Sequence, residues 1–211
     1  MVVLTRGAAR RLGADADADG AASVLALREP VAWKADAVWR HRGLDAYSLS
    51  GRVQTDRDQP QVDHAMEVQL CEVAFVRAFG TERARASSMA TAQASELLRG
   101  VFNDVANLNV TSARINQSKK GPFTAAMNRL GSERTFGLRM VPIEQLARQG
   151  RARWLVDNGN WARIEETVVE SFDSAERTVR VGGVDAMQAA AVLVESSFDE
   201  LHQLLEKLQI L

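Results

Sequence analysis

Cysteine is almost missing from this sequence. Cys71 stands alone, so one chain can form neither a disulfide framework nor a zinc–thiolate site. Aromatic residues are sparse at 6%, which leaves little material for extended stacking surfaces. Long apolar runs are lacking too: the stretch Ala186–Val194 falls short of a membrane span. The start, Met1-Val2-Val3-Leu4-Thr5-Arg6, has no secretory apolar region of useful length. The expectation is an intracellular protein of nucleus or cytoplasm with no membrane partner. An excess of one charge is also absent, since the formal net charge is −1, and bulk charge does not mark a polyanion binder.

What is present is an uneven distribution. Between Val105 and Met140, Arg114, Lys119, Lys120, Arg129, Arg134 and Arg139 stand against Glu133 alone, whereas the chain after Val156 is acidic. A basic middle is the local field a polyanion needs, although a solvated face would look the same. With 211 residues the chain is long enough for one sizeable core. Residues 1–20, with three arginines and an Ala-Asp repeat, read as a tail with nothing to bury. Residues 21–150 read as the main domain and 151–211 as a helical extension.

Local patterning predicts a mostly helical α+β protein. A helix is expected near Pro30–Arg40 and a short strand over Tyr47–Val53. A polar loop follows at Thr55–Pro60, then an extended piece at Gln61-Val62-Asp63. Met66, Leu70, Val73 and Phe75 keep a helical period up to Gly80, and an Ala-rich helix follows from Ala84 to Ala106. Thr124–Leu130 reads as helix and Thr135–Val141 as strand. Met187, Ala191, Val194, Phe198, Leu201, Leu205 and Leu208 form a heptad seam on a helix expected to start at Asp185. That seam, on the 185–208 helix, could join two chains in a homodimer or pack on its own domain.

Two short pieces carry chemistry. One is Val62-Asp63-His64. The other is Asn107-Leu108-Asn109-Val110-Thr111-Ser112-Ala113-Arg114-Ile115-Asn116-Gln117-Ser118-Lys119-Lys120. An Asn-Leu pair is followed by Asn at the ninth position and by Lys three positions later. This pattern resembles the signature of the HNH (ββα-metal) endonucleases, over about 60 residues. The resemblance implies a ββα-metal core in which an Asp-His pair leaves a β-hairpin and a helix supplies the last ligand. Here that core would carry an inserted helical segment between His64 and Asn107 and flanking helices. The last ligand position holds Asn116 instead of histidine. The resemblance also gives Asn107 a bracing role that keeps the His64 ring oriented.

The residues fit that chemistry on their own terms. Phosphodiester hydrolysis needs a deprotonated water, a cation on the developing charge and a protonated leaving oxygen. His64 can take a proton near neutral pH. Asp63 and the Asn116 amide offer oxygen donors to a hard divalent cation, Mg²⁺ or Mn²⁺. Adjacent residues on a strand point to opposite faces, so a loop or bulge is expected to bring Asp63 and His64 together. Lys119, one turn beyond Asn116, is expected to reach a phosphate, as are Arg114 and Lys120. Plainer readings stand beside these. Asn107 and Asn116 could cap turns, and the lysines could be a solvated helix end. Glu67 reads as a neighbour of the site or an exposed helix position, and Trp154 and Trp161 as core.

The functional expectation is a metal-dependent nuclease acting on nucleic acid, DNA more than RNA, with His64 as general base. The alternative is a non-catalytic HNH-derived module that binds nucleic acid, or a protein through the heptad helix.

Overall fold

The computed structural model describes residues 44–48, 60–82, 87–136, 139–181 and 188–211. The expected tail, the helix near Pro30–Arg40 and the proposed cap Asp185 lie outside these residues. The chain is mainly helical with one small antiparallel sheet. In order it forms β1 (Pro60–His64), α1 (Val68–Glu82), α2 (Ser88–Phe102), β2 (Leu108–Ser112) and α3 (Ala113–Phe136). There follow α4 (Ile143–Ala147), α5 (Arg153–Asp157), α6 (Asn160–Val181) and α7 (Gln188–Lys207). Among the described residues no helix is long and apolar enough to cross a membrane.

Strands β1 and β2 pair from Pro60↔Ser112 through Asp63↔Asn109 to His64↔Leu108. Pro60 opens the ribbon, a position where its missing N–H costs no ladder bond. Alternation gives the ribbon two unlike faces. Gln61, Asp63, Asn109 and Thr111 share one; Val62, His64, Leu108 and Val110 share the other. Val62, Leu108 and Val110 form a small apolar cluster of their own. Both faces are largely buried, and the polar one finds polar partners. Asp45 Oδ1 accepts from Asn109 Nδ2 at 3.0 Å, and Asp45 Oδ2 accepts from Thr111 Oγ1 at 2.7 Å. Residues 44–48 therefore lie across β2 as a turn, not as the strand expected from Tyr47; residues 49–53 fall outside the description. The Asx-type bond from Tyr47 N to Asp45 Oδ1 at 3.0 Å holds that turn.

Helix α2 starts where Ser87 Oγ accepts from Ala90 N, and Ala90, Ala94, Leu98 and Phe102 put an apolar stripe inward. It stops at Asn103, whose side-chain amide donates to Arg99 O at 2.8 Å. Helix α3 carries Pro122, which has no N–H for the preceding turn, yet the helix runs on through Phe136. The strand expected over Thr135–Val141 is thus not seen among its described residues. Residues 135–136 end α3, and 139–142 have no regular structure.

The core draws on both expected segments: Phe75, Leu98, Phe123 and Leu130 pack in one cluster with Trp161, Phe172, Phe198 and Leu205. Trp161 is core, as its plainer reading had it. The heptad seam is spent here. Val194, Phe198, Leu201, Leu205 and Leu208 are all buried, with α7 lying mainly against α1 and also against α2. The described part of the seam therefore packs on its own domain, the second of the two arrangements expected of it. Truncating Leu201 to Ala should cost about 2–5 kcal/mol through lost burial and a residual cavity. The urea midpoint measures this, and a cost under about 1 kcal/mol would place the α7 seam outside the core.

Candidate functional site

The polar face of the ribbon lies against α3. Gln61 and Asp63, two apart on β1, face Asn116 and Lys119, one turn apart on α3. Asn116 Nδ2 donates to Gln61 Oε1 at 3.0 Å. Lys119 Nζ donates to Asp63 Oδ2 at 2.6 Å. One face of one strand therefore meets one face of one helix, and Asp63 and Asn116 share that interface.

Lys119 is wholly buried. Its ammonium also donates to the backbone carbonyl of His64 and to Tyr47 Oη at 3.3 Å, and lies 3.3 Å from Glu67 Oε1. The Tyr47 and Phe123 rings flank it, with centroids at 5.2 and 5.6 Å. Tyr47 Oη in turn donates to Asp63 Oδ2 at 3.0 Å. Burial alone would push the Lys119 ammonium toward neutrality. The charge of Asp63, supported by Tyr47 and Glu67, reverses that and holds its pKa above the ordinary lysine value. For Glu67, burial wins over the attraction of Lys119, and its carboxyl is raised above the usual carboxylate range. The phosphate role expected of Lys119 is therefore not open to it here, because the side chain reaches no solvent. Glu67 is not an exposed helix position either; it is an internal partner of Lys119.

His64 takes the other side of the strand. Its Nε2 is 3.1 Å from Asn103 Oδ1, at the end of α2. The loop or bulge expected between Asp63 and His64 is not there: the ladder keeps its register to the last pair, so the two side chains leave β1 in opposite directions.

Asn107 stands just before β2 and is 1% exposed. Its Oδ1 accepts from Met66 N at 2.8 Å, its Nδ2 donates to Phe102 O at 2.9 Å, and its own carbonyl accepts from Ala65 N at 2.8 Å. The side chain ties the residues that follow His64 to the end of α2.

Two oxygens bear on the implied cation. Asn116 is buried, and its Oδ1 has no hydrogen-bond partner. Both hydrogen bonds to the Asp63 carboxylate fall on Oδ2. A buried acceptor without a donor is costly, and a hard cation would satisfy it. The two oxygens are of the kind that a hard divalent ion takes. Among the described residues no three His, Cys, Asp or Glu side chains form a metal-binding group. Comparison with family models, curated proteins and solved structures gave no match.

Arg114 and Lys120 are exposed on α3. The Arg114 guanidinium lies 4.2 Å from the centroid of the Trp154 ring, whose Nε1 donates to Ser118 Oγ at 3.1 Å. Trp154 is thus half-buried, with Arg114 on its face. Sequence reading missed Tyr47, Asp45, Gln61 and Asn103. The alternation of polar residues at 61 and 63 and again at 109 and 111 carried the signal for a covered polar face.

Two outcomes follow for stability. Asn107→Ala should cost about 2–4 kcal/mol, since it orphans Met66 N and Phe102 O, whereas Asn116→Ala should cost about 1 kcal/mol or less. Equal losses in chemical denaturation would remove the distinction between brace and ligand. For Glu67, whose folded pKa is raised, stability is present while the carboxyl is protonated and is lost as pH rises through that raised value. Glu67→Gln should therefore gain melting temperature relative to wild type as pH rises above the ordinary value of 4.5 toward neutrality. A relative loss over that range would show that the attraction of Lys119 outweighs burial.

Proposed function

We propose that this chain is a metal-dependent nuclease of HNH type, with β1, β2 and α3 as its ββα-metal core. The observation that carries the proposal is the buried, unpartnered Oδ1 of Asn116 on the face that holds Asp63. The order of strand, strand and helix supports it, as does the Asn107 brace beside His64.

In this reading Asp63 and Asn116 hold a divalent cation such as Mg²⁺ or Mn²⁺. When bound, that ion would supply positive charge to a phosphate oxygen and to the leaving oxygen. His64 takes the proton of the attacking water. Because His64 and Asp63 leave β1 on opposite sides, the His64 ring must give up Asn103 and swing past the strand end when substrate binds. Arg114 and Lys120 are the exposed cations placed to contact the substrate's phosphates, DNA more than RNA.

A second reading is favoured by one observation. The Lys119 ammonium already neutralises Asp63, as a non-catalytic module that binds nucleic acid through Arg114 and Lys120 would arrange it.

The test uses the purified full chain with single- and double-stranded DNA and RNA, with Mn²⁺ or Mg²⁺ and with EDTA. Cleavage should need the metal and fall at least about 100-fold in His64→Ala, with binding retained. Metal-independent binding without cleavage would support the module instead. Neither binding nor cleavage would sink both readings.

A further inference from the structure

The least accessible charge in the described fold sits beside the proposed ligands. Lys119 Nζ has three protons and four oxygen neighbours: Asp63 Oδ2, Glu67 Oε1, Tyr47 Oη and the His64 carbonyl. Each neighbour belongs to the site or touches it. Asp63 is a proposed ligand, and the His64 carbonyl belongs to the proposed base. A lysine needed only to neutralise a buried acid could have stood on any packed element. This one stands one turn after Asn116, so the same helical face offers an unpartnered amide oxygen and, beside it, a fixed positive charge.

The ammonium counts against a cation. Lys119 already cancels the charge of Asp63, and Glu67 adds a further negative charge when ionised. A divalent ion entering next to Asp63 meets the ammonium at short range, where burial leaves little water to screen the repulsion. The same ammonium holds Asp63 Oδ2 at 2.6 Å and thereby fixes the carboxylate's orientation on the polar face.

We infer that Lys119 is a positioning residue that competes with the divalent cation for Asp63, trading metal affinity for a fixed carboxylate and a fixed His64 backbone. This rests on the reading of Asp63 and Asn116 as ligands. It assigns Lys119 neither a phosphate contact nor a purely architectural part.

The experiment measures Mn²⁺ affinity of the full chain by electron paramagnetic resonance, apart from cleavage. In folded Lys119→Met, Mn²⁺ should bind at least about tenfold more tightly than in wild type, because a nearby positive charge is gone. Its kcat should fall, and Lys119→Arg should restore weaker Mn²⁺ binding. An architectural lysine predicts the reverse, with affinity and kcat lost together. Unchanged or weaker Mn²⁺ binding in folded Lys119→Met therefore overturns the inference. If circular dichroism shows that this variant does not fold, Glu67→Gln decides. Measured at a pH where Glu67 is ionised, it leaves Lys119 to Asp63 and removes a negative charge, so Mn²⁺ binding should weaken at least about threefold; unchanged binding overturns the inference. Wild type that binds no Mn²⁺ while Lys119→Met gains it would support the competition and sink the nuclease reading. Absence of binding in both would sink the two together.

Discussion

A buried ammonium cannot be left without partners, and the arrangement around Lys119 follows from that constraint. Taking one charge out of water costs several kcal/mol, returned only when a counter-charge and further acceptors are held in good geometry. Here the counter-charge comes from β1, a second carboxylate from the approach to α1, and a phenol from the turn at 44–48. The turn at 44–48 and the stretch from Asp63 to Glu67, both more than fifty positions before Lys119, are thus tied to one atom on α3. Deleting Asp63 or Lys119 leaves the other as an uncompensated buried charge, which is why such pairs fix geometry more than they add net stability. They also explain why the ribbon turns its polar face inward. With Lys119 on α3, only the face carrying Gln61 and Asp63 can meet it.

The long interval between the two halves of the motif looks at first like an obstacle to their meeting. Asn107 removes it. Its side chain bonds Met66, where the chain leaves β1, and Phe102, where α2 returns, while its carbonyl bonds Ala65. Entry and exit of the inserted helices are stitched at one residue. The pairing of β1 with β2 therefore does not depend on what lies between them, and α1 and α2 are free to join the main core against α7. Loop-closure entropy rises only slowly with loop length, so an insertion closed by a buried side chain carries a modest cost.

Much of this was legible in the residues. The helical periods at Met66–Gly80 and Ala84–Ala106 marked α1 and α2 to within a few residues, and the heptad marked α7. What the heptad could not say is which surface it meets, because a stripe of Val, Phe and Leu packs equally well on its own fold or on another chain. The strand read over Tyr47–Val53 does not begin at Tyr47, because Asp45 closes a turn on its own backbone, a local bond that outcompetes extension. The strand read at Thr135 failed because α3 keeps its helical run past Pro122 and through that threonine. Lys119 was the instructive miss. A lysine beside another lysine before Gly-Pro reads as a solvated helix end, and nothing local marks it as internal. Its burial is decided by Asp63, 56 positions earlier, and by the tyrosine before that.

The pairing of an unpartnered amide oxygen with a buried ammonium on one helical turn makes sense as a single device. An acceptor alone would draw in any cation, or a water, and the carboxylate beside it would be free to rotate. An ammonium alone would close the face completely and leave the Asn116 oxygen with nothing to do. Together they set an unpartnered acceptor and a fixed positive charge side by side, on a face whose charge comes from Asp63, Glu67 and Lys119, two on or just after β1 and one on α3. The contact between β1 and α3 is therefore both the joint that assembles the fold and the place where its charge is tuned, and a change to either partner acts on both at once.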